Sequence, residues 1–232
     1  MRKALVLPMS LLLIVAFATT ASAWNFLNFW WPTFWPIHEV IIITKTVHEP
    51  VVTGNGNDTI TVTETGAVII TVFDPHPEST AIDGRGGNDT ITNNGEVDVT
   101  AISFGLVKTS SSDDNQEQGK GAKATGIQGN DGDDTVDNTG KVTATAVTTV
   151  GDISVGATGL TLDVGVFQGF AGAVGVDGGS GNDDLTNTGD VIATATATTL
   201  KGEITVDLPL PSADPATAKA VAVGMQGGDG ND

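Results

Sequence analysis

Five aspartates close five glycine-rich turns, and their recurrence is the feature of this chain most able to do chemistry. Asp58, Asp89, Asp134, Asp183 and Asp232 each end such a turn, at intervals of 31, 45, 49 and 49 residues. If the turns stack at the ~4.8 Å spacing of paired strands, neighbouring carboxylates repel by about 1 kcal/mol even at the dielectric of water, and by more when desolvated. A column of that kind needs cations or dilution. Dilution is visible one step upstream, where Asp83, Gln128, Asp177 and Gln226 alternate acid with amide, which gives those residues a structural role. The final aspartates have no such relief. Three uses fit them: holding a metal ion, an Asx-turn column free of metal, or contact with carbohydrate.

Acid catalysis is the rival chemistry, since some parallel β-helices cut acidic polysaccharides and such reactions need clustered acids at one centre. Asp133-Asp134 and Asp183-Asp184 are adjacent acid pairs, but each recurs with the repeat instead of appearing once. Recurrence points to a scaffold. His38, His48 and His76 are separated by ten or more residues, all precede the well-formed repeats, and read as surface or turn residues. There is no nucleophile elbow, phosphate loop or HExxH motif, so the sequence predicts neither a catalytic residue nor an organic cofactor.

The elements that would position the aspartates are strands. After each turn comes an apolar residue, then asparagine, then a glycine two positions on, as in Ile91 to Val97, Val136 to Val142 and Leu185 to Val191; the first copy has Val62 where the others have Asn93, Asn138 and Asn187. Alternation follows, with Val142, Ala144 and Ala146 against Thr143 and Thr145, and period two in Val and Thr means pleated strand. Alanine on the apolar side implies a narrow interior. One such unit cannot bury its apolar face alone, whereas stacked units build a continuous core. The sequence therefore predicts an all-β chain, a parallel β-solenoid or β-helix of long repeats in which the three asparagines form a structural amide ladder. The repeats run over about 51–80, 81–125, 126–174 and 175–223, with a fifth beginning at 224–232.

The length differences between repeats call for protruding loops or a second winding. Thr109 to Lys123 and Leu208 to Pro215 read as solvent loops, residues 151–174 as added strands, and Asp214 to Val223 as the one helix-compatible stretch. Because the chain stops at Asp232, before the strand of its fifth repeat, it reads as a truncated array.

Gly178-Gly179-Ser180-Gly181-Asn182-Asp183-Asp184-Leu185-Thr186 fits every fixed position of the G-G-x-G-x-D-x-U-x nonapeptide, and Gly227 to Asp232 fits as far as it runs. Arg85 and Asn130 replace the second glycine in two copies, and Thr53 replaces the first glycine in another. On these five turns the chain resembles the haemolysin-type, or RTX, calcium-binding repeat proteins. The resemblance implies Ca2+ held by the carboxylates of Asp58, Asp89, Asp134, Asp183 and Asp232 together with backbone carbonyls of the turns. Calcium takes several hard oxygen ligands, and glycines let carbonyls converge. Two features depart from the family. Its nonapeptides run in tandem, while one copy occurs here per long repeat, and it exports through a C-terminal signal.

Composition agrees with an exported scaffold. The 232 residues contain no cysteine and no tyrosine, which excludes a disulfide framework, a thiol enzyme and a Cys-based zinc site. A net charge of -18 would repel a phosphate backbone, so nucleic acid is excluded as a partner. Arg2 and Lys3, an apolar run over 4–18 and Ala21-Ser22-Ala23 form a secretory leader over residues 1–23; its removal takes away two positive charges and leaves no transmembrane span. Residues 24–50 read as an aromatic-rich cap or anchor, because Trp24, Phe26, Phe29, Trp30, Trp31, Phe34 and Trp35 crowd into twelve positions interrupted by Pro32 and include every tryptophan of the chain. The solenoid then occupies 51–232. The reading is a secreted or bacterial cell-surface repeat scaffold that binds calcium and serves structure or adhesion. Cell-surface polysaccharide, or further copies joined through the solenoid ends, would be its other partners. A polysaccharide-active enzyme and a metal-free surface filament are the alternatives.

Overall fold

The computed structural model describes residues 38–74, 77–105, 121–155, 168–204 and 217–232. The leader, the tryptophan cluster and His76 lie outside these residues, as does most of both expected solvent loops.

Among the described residues there are three parallel five-stranded sheets and no helix. The first sheet stacks β1 (Val40–Ile43), β4 (Thr59–Val62), β7 (Thr90–Asn93), β10 (Thr135–Asn138) and β13 (Asp184–Asn187). The second stacks β2 (Thr46–Val47), β5 (Ala67–Phe73), β8 (Glu96–Gly105), β11 (Lys141–Val155) and β14 (Asp190–Ile204). The third stacks β3 (Val51–Val52), β6 (Glu78–Asp83), β9 (Gly121–Asp131), β12 (Gln168–Ser180) and β15 (Thr217–Asp229). Each coil contributes one strand to each sheet, so the described residues wind a three-sided parallel β-solenoid of five coils.

Period-two patterning sets which side faces in. On the second sheet Val68, Val97 and Val142 stack in register and are fully buried, as are Ala101 and Ala146 below Val72. The third sheet contributes Ile82, Ile127 and Val176 in one column and the small residues Ala122, Ala124, Ala171 and Ala173 beside it. Alanine faces inward where the sheets come close together, as its small volume allows. Thr148 also points inward, its hydroxyl donating to the Phe170 carbonyl at 2.6 Å and accepting from the Ala122 amide at 2.9 Å, which ties β11 to β12 and β9 of the third sheet.

The asparagine ladder forms as expected. Asn93 Nδ2 donates to Asn138 Oδ1 and Asn138 Nδ2 to Asn187 Oδ1, both at 2.7 Å, with Val62 above them. The Asn93 oxygen also accepts the Gly95 amide at 3.2 Å and so shapes the bend between the first and second sheets.

Two expectations need correction, and two open points are decided among the described residues. The solenoid begins at Val40, inside the stretch 24–50 assigned to a cap, because Ile41 and Ile43 pair in register with Ile60 and Val62 and already form an inward row. Repeat boundaries at 81, 126, 175 and 224 fall within strands of the third sheet, since the glycine-rich turn starts as the end of a strand. The extra residues of the later repeats make no second winding among the described residues; β11 and β12 lengthen, taking in 151–155 and 168–174, and the coil keeps three strands. Within the one helix-compatible stretch, Thr217 to Val223 is strand, in keeping with its alternation and the all-β expectation, and pairs with Gln168 to Val174 along the neighbouring coil.

Candidate metal centre

The corner between the third sheet and the first is built alike at the five glycine-rich turns, and the five aspartates stand in it one above another. Each is joined to the next by a single hydrogen bond: the amide of Asp58 donates to Asp89 Oδ1 and that of Asp89 to Asp134 Oδ1, both at 2.7 Å. The amide of Asp134 donates to Asp183 Oδ1 at 2.9 Å and that of Asp183 to Asp232 Oδ1 at 3.0 Å. Residues far apart along the backbone thus become vertical neighbours. Sequence reasoning missed the top of the column, where the Glu39 amide donates to Asp58 Oδ1 at 2.6 Å.

A second column runs beside the first and was also missed. Asn57, Asn88, Asp133, Asn182 and Asn231 precede the five aspartates, and in every step the side-chain oxygen accepts the amide of the coil below, at 2.8 to 3.2 Å. The aspartates accept from the coil above. Successive side chains lie on opposite sides of an extended backbone, so the two columns hold the coils with opposite polarity. The signal for this was present, since Asn or Asp stands before the final aspartate in all five copies. The adjacent acids Asp133 and Asp134 therefore belong to different ladders, and each is already engaged by a backbone amide.

What the inner column leaves over is one oxygen per coil. Oδ2 of Asp58, Asp89, Asp134 and Asp183 is buried without a hydrogen-bond partner, in side chains that are 1, 1, 1 and 5% exposed. In three coils it faces the first glycine of the turn: a Cβ on Gly84 would lie 2.6 Å from Asp89 Oδ2 and 3.0 Å from the carbonyl oxygen of Gly129 in the next coil. The same pair of oxygens crowds Gly129, with Asp134 and Gly178 as their sources, and Asp183 and Gly227 do so at Gly178. Glycine is required there because the carboxylate and the carbonyl occupy the space of a side chain. Thr53 replaces it in the first of the five turns and directs its hydroxyl to the Gly84 carbonyl at 2.7 Å.

Electrostatics follow from burial. Desolvation pushes the Asp89 carboxyl up to about 7, against the lowering effect of the Asp58 amide and with further upward pressure from Asp134, Asp58 and Asp83. Burial likewise raises Asp134 and Asp183, each with the next aspartate of the column adding to it. Among the described residues no lysine or arginine pairs with the column; the cross-coil ion pairs Lys123–Glu78 and Lys141–Glu96 lie elsewhere, at 2.7 and 3.1 Å. His38 and His48 bind carbonyls of the coil below, at Asn57 and Ile69, as turn and surface residues do.

The donors fit a hard cation in kind: anionic, all oxygen, unpartnered and next to carbonyls. In number the side chains do not suffice alone. Among the described residues no three acidic or histidine side chains converge as a metal-holding group, so backbone carbonyls would have to complete a shell. One step upstream Asp83, Gln128, Asp177 and Gln226 stack in register, with acid and amide alternating down the sheet. No family model, curated protein or solved structure matches the chain.

Proposed function

We propose that this chain is the repeat scaffold of a secreted or cell-surface protein with a structural or adhesive role, and that its aspartate column takes up calcium. The observation that carries the metal reading is the buried, unpartnered Oδ2 in four successive corners. A buried carboxylate oxygen is costly unless a proton or a cation accompanies it. The scaffold reading is supported by the repeated coil, in which ladder follows ladder and, among the described residues, the adjacent acids Asp133 and Asp134 are both engaged by backbone amides. Export is supported by the leader-like residues 1–23.

A metal-free scaffold is the second reading, and the occupied Oδ1 atoms favour it, because each aspartate already serves as a backbone clasp without an ion. Calorimetric titration with calcium chloride, joined to thermal melts followed by circular dichroism, separates the two. Calcium binding gives heat and a raised melting temperature, both lost when Asp89, Asp134 and Asp183 are changed together to Asn, which keeps the Oδ1 acceptor. Absence of heat and of any shift in the unaltered chain removes the metal reading and leaves the scaffold.

A further inference from the structure

Beside the corner between the third sheet and the first, the outward face of the first coil differs in kind from that of the coils below it. Three outward columns run down the solenoid at this end. Val40 stands above Thr59, Thr90, Thr135 and Asp184; Ile42 above Thr61, Thr92, Asp137 and Thr186; Val52 above Asp83, Gln128, Asp177 and Gln226. All twelve lower positions are polar or charged, and all three top positions are aliphatic. Val40, Ile42 and Val52 are nevertheless 47, 57 and 38% exposed. An isolated surface aliphatic is ordinary, but a change from polar to aliphatic in three columns at one level marks a surface that expects cover.

The direction from which the chain arrives identifies the cover. Glu39 sits over Asp58, and the His38 ring meets the Asn57 carbonyl at 2.7 Å, so the backbone reaches β1 across the corner between the third and first sheets. Val52 flanks that corner on one side, Val40 and Ile42 on the other. Immediately upstream lies the cluster Trp24 to Trp35, which is outside the described residues and holds seven aromatic side chains. Only the five steps from Trp35 to Val40 tether it, a reach of roughly 17 Å at full extension.

We propose that the segment Trp24–Trp35 folds back over this corner and covers the aliphatic exterior of the first coil. The short tether gives it a high effective concentration there, whereas a second copy or a membrane would bear the full cost of association. Large aromatic faces against valine and isoleucine bury apolar area on both partners.

The chain supplies its own probe. All four tryptophans lie in the segment and there is no tyrosine, so tryptophan emission reports on nothing else. The variant V40T/I42T/V52Q places in the first coil what lower coils carry in the same columns, and a glutamine above Asp83 keeps the alternation of acid and amide, so the solenoid has no reason to unfold; an unchanged strand signal in circular dichroism checks this. The purified chain is expected to show blue-shifted emission shielded from acrylamide, and the triple variant a red shift with several-fold greater quenching. Emission already typical of open solvent in the unaltered chain, or a blue-shifted emission that the triple variant leaves in place, would overturn the proposal. So would a blue shift that arises only with phosphatidylglycerol vesicles, which would assign the segment to a membrane, or only at high protein concentration, which would assign it to a second copy.

Discussion

Replacing Asp134 separates the two things its carboxylate does. Oδ1 accepts the buried amide of Asp89 at 2.7 Å, while Oδ2 has no partner. In Asp134→Ala the Asp89 amide loses its acceptor in a place water does not reach, and an unsatisfied buried donor costs about 1–3 kcal/mol. Asp134→Asn keeps an oxygen for that amide, removes a charge whose burial is unfavourable, and puts an NH2 where Oδ2 crowds the glycine cradle beside the Gly178 carbonyl. A donor then replaces an acceptor next to an acceptor. In chelator, the alanine variant is therefore expected to lose about 1–3 kcal/mol in urea unfolding, and the asparagine variant to equal or exceed the parent. Hydrogen exchange at the Asp89 amide reads the effect locally: protection falls in the alanine variant and persists in the asparagine one. Equal destabilisation by both replacements would refute the reasoning, since it would mean that the negative charge, and not the amide clasp, holds the corner.

Three further outcomes follow from the same geometry. Asn138→Val breaks both ladder bonds and leaves the buried Asn93 amide with only the Lys141 carbonyl at 3.3 Å, so it should cost about 1–3 kcal/mol; urea unfolding measures the loss, and an unchanged midpoint would show that the ladder does not hold the coils. Arg85 has φ 65° at the place where later coils have Gly179 and Gly228, so Arg85→Gly should stabilise by roughly 0.5–1 kcal/mol, seen as a higher urea midpoint. Burial raises Asp89 to about 7 from an ordinary carboxylate value, and Asp134 and Asp183 move in the same direction. The folded state then binds the proton more tightly than the unfolded chain, so this contribution is complete below about pH 4 and is lost as pH rises through about 7. The urea midpoint in chelator should fall over that interval, and a midpoint that climbs instead would contradict the burial of the column.

The aspartate column is legible in the sequence because one position recurs with the same neighbours in all five turns, and stacking identical turns admits one register. The amide ladder is legible for the same reason. The neighbouring column of Asn57, Asn88, Asp133, Asn182 and Asn231 is equally regular, but its hydrogen bonds run the other way, and that depends on which side of the backbone each side chain takes. The first coil is hidden because it lacks a glycine turn ahead of it, although Ile41 and Ile43 continue the inward rows of Ile60 and Val62.

From its order of residues alone this chain is committed to parallel strands, to a narrow interior of valine, isoleucine and alanine, and to glycine corners ending in aspartate; alternation and recurrence are local properties, and no partner is needed to express them. Only the folded solenoid decided that β11 and β12 take in part of the added length of the later repeats, which oxygen of each aspartate is clasped and which is left over, and that three aliphatic side chains end otherwise polar columns. Those outcomes depend on contacts across 19 to 49 residues, set by how one coil lies on the next.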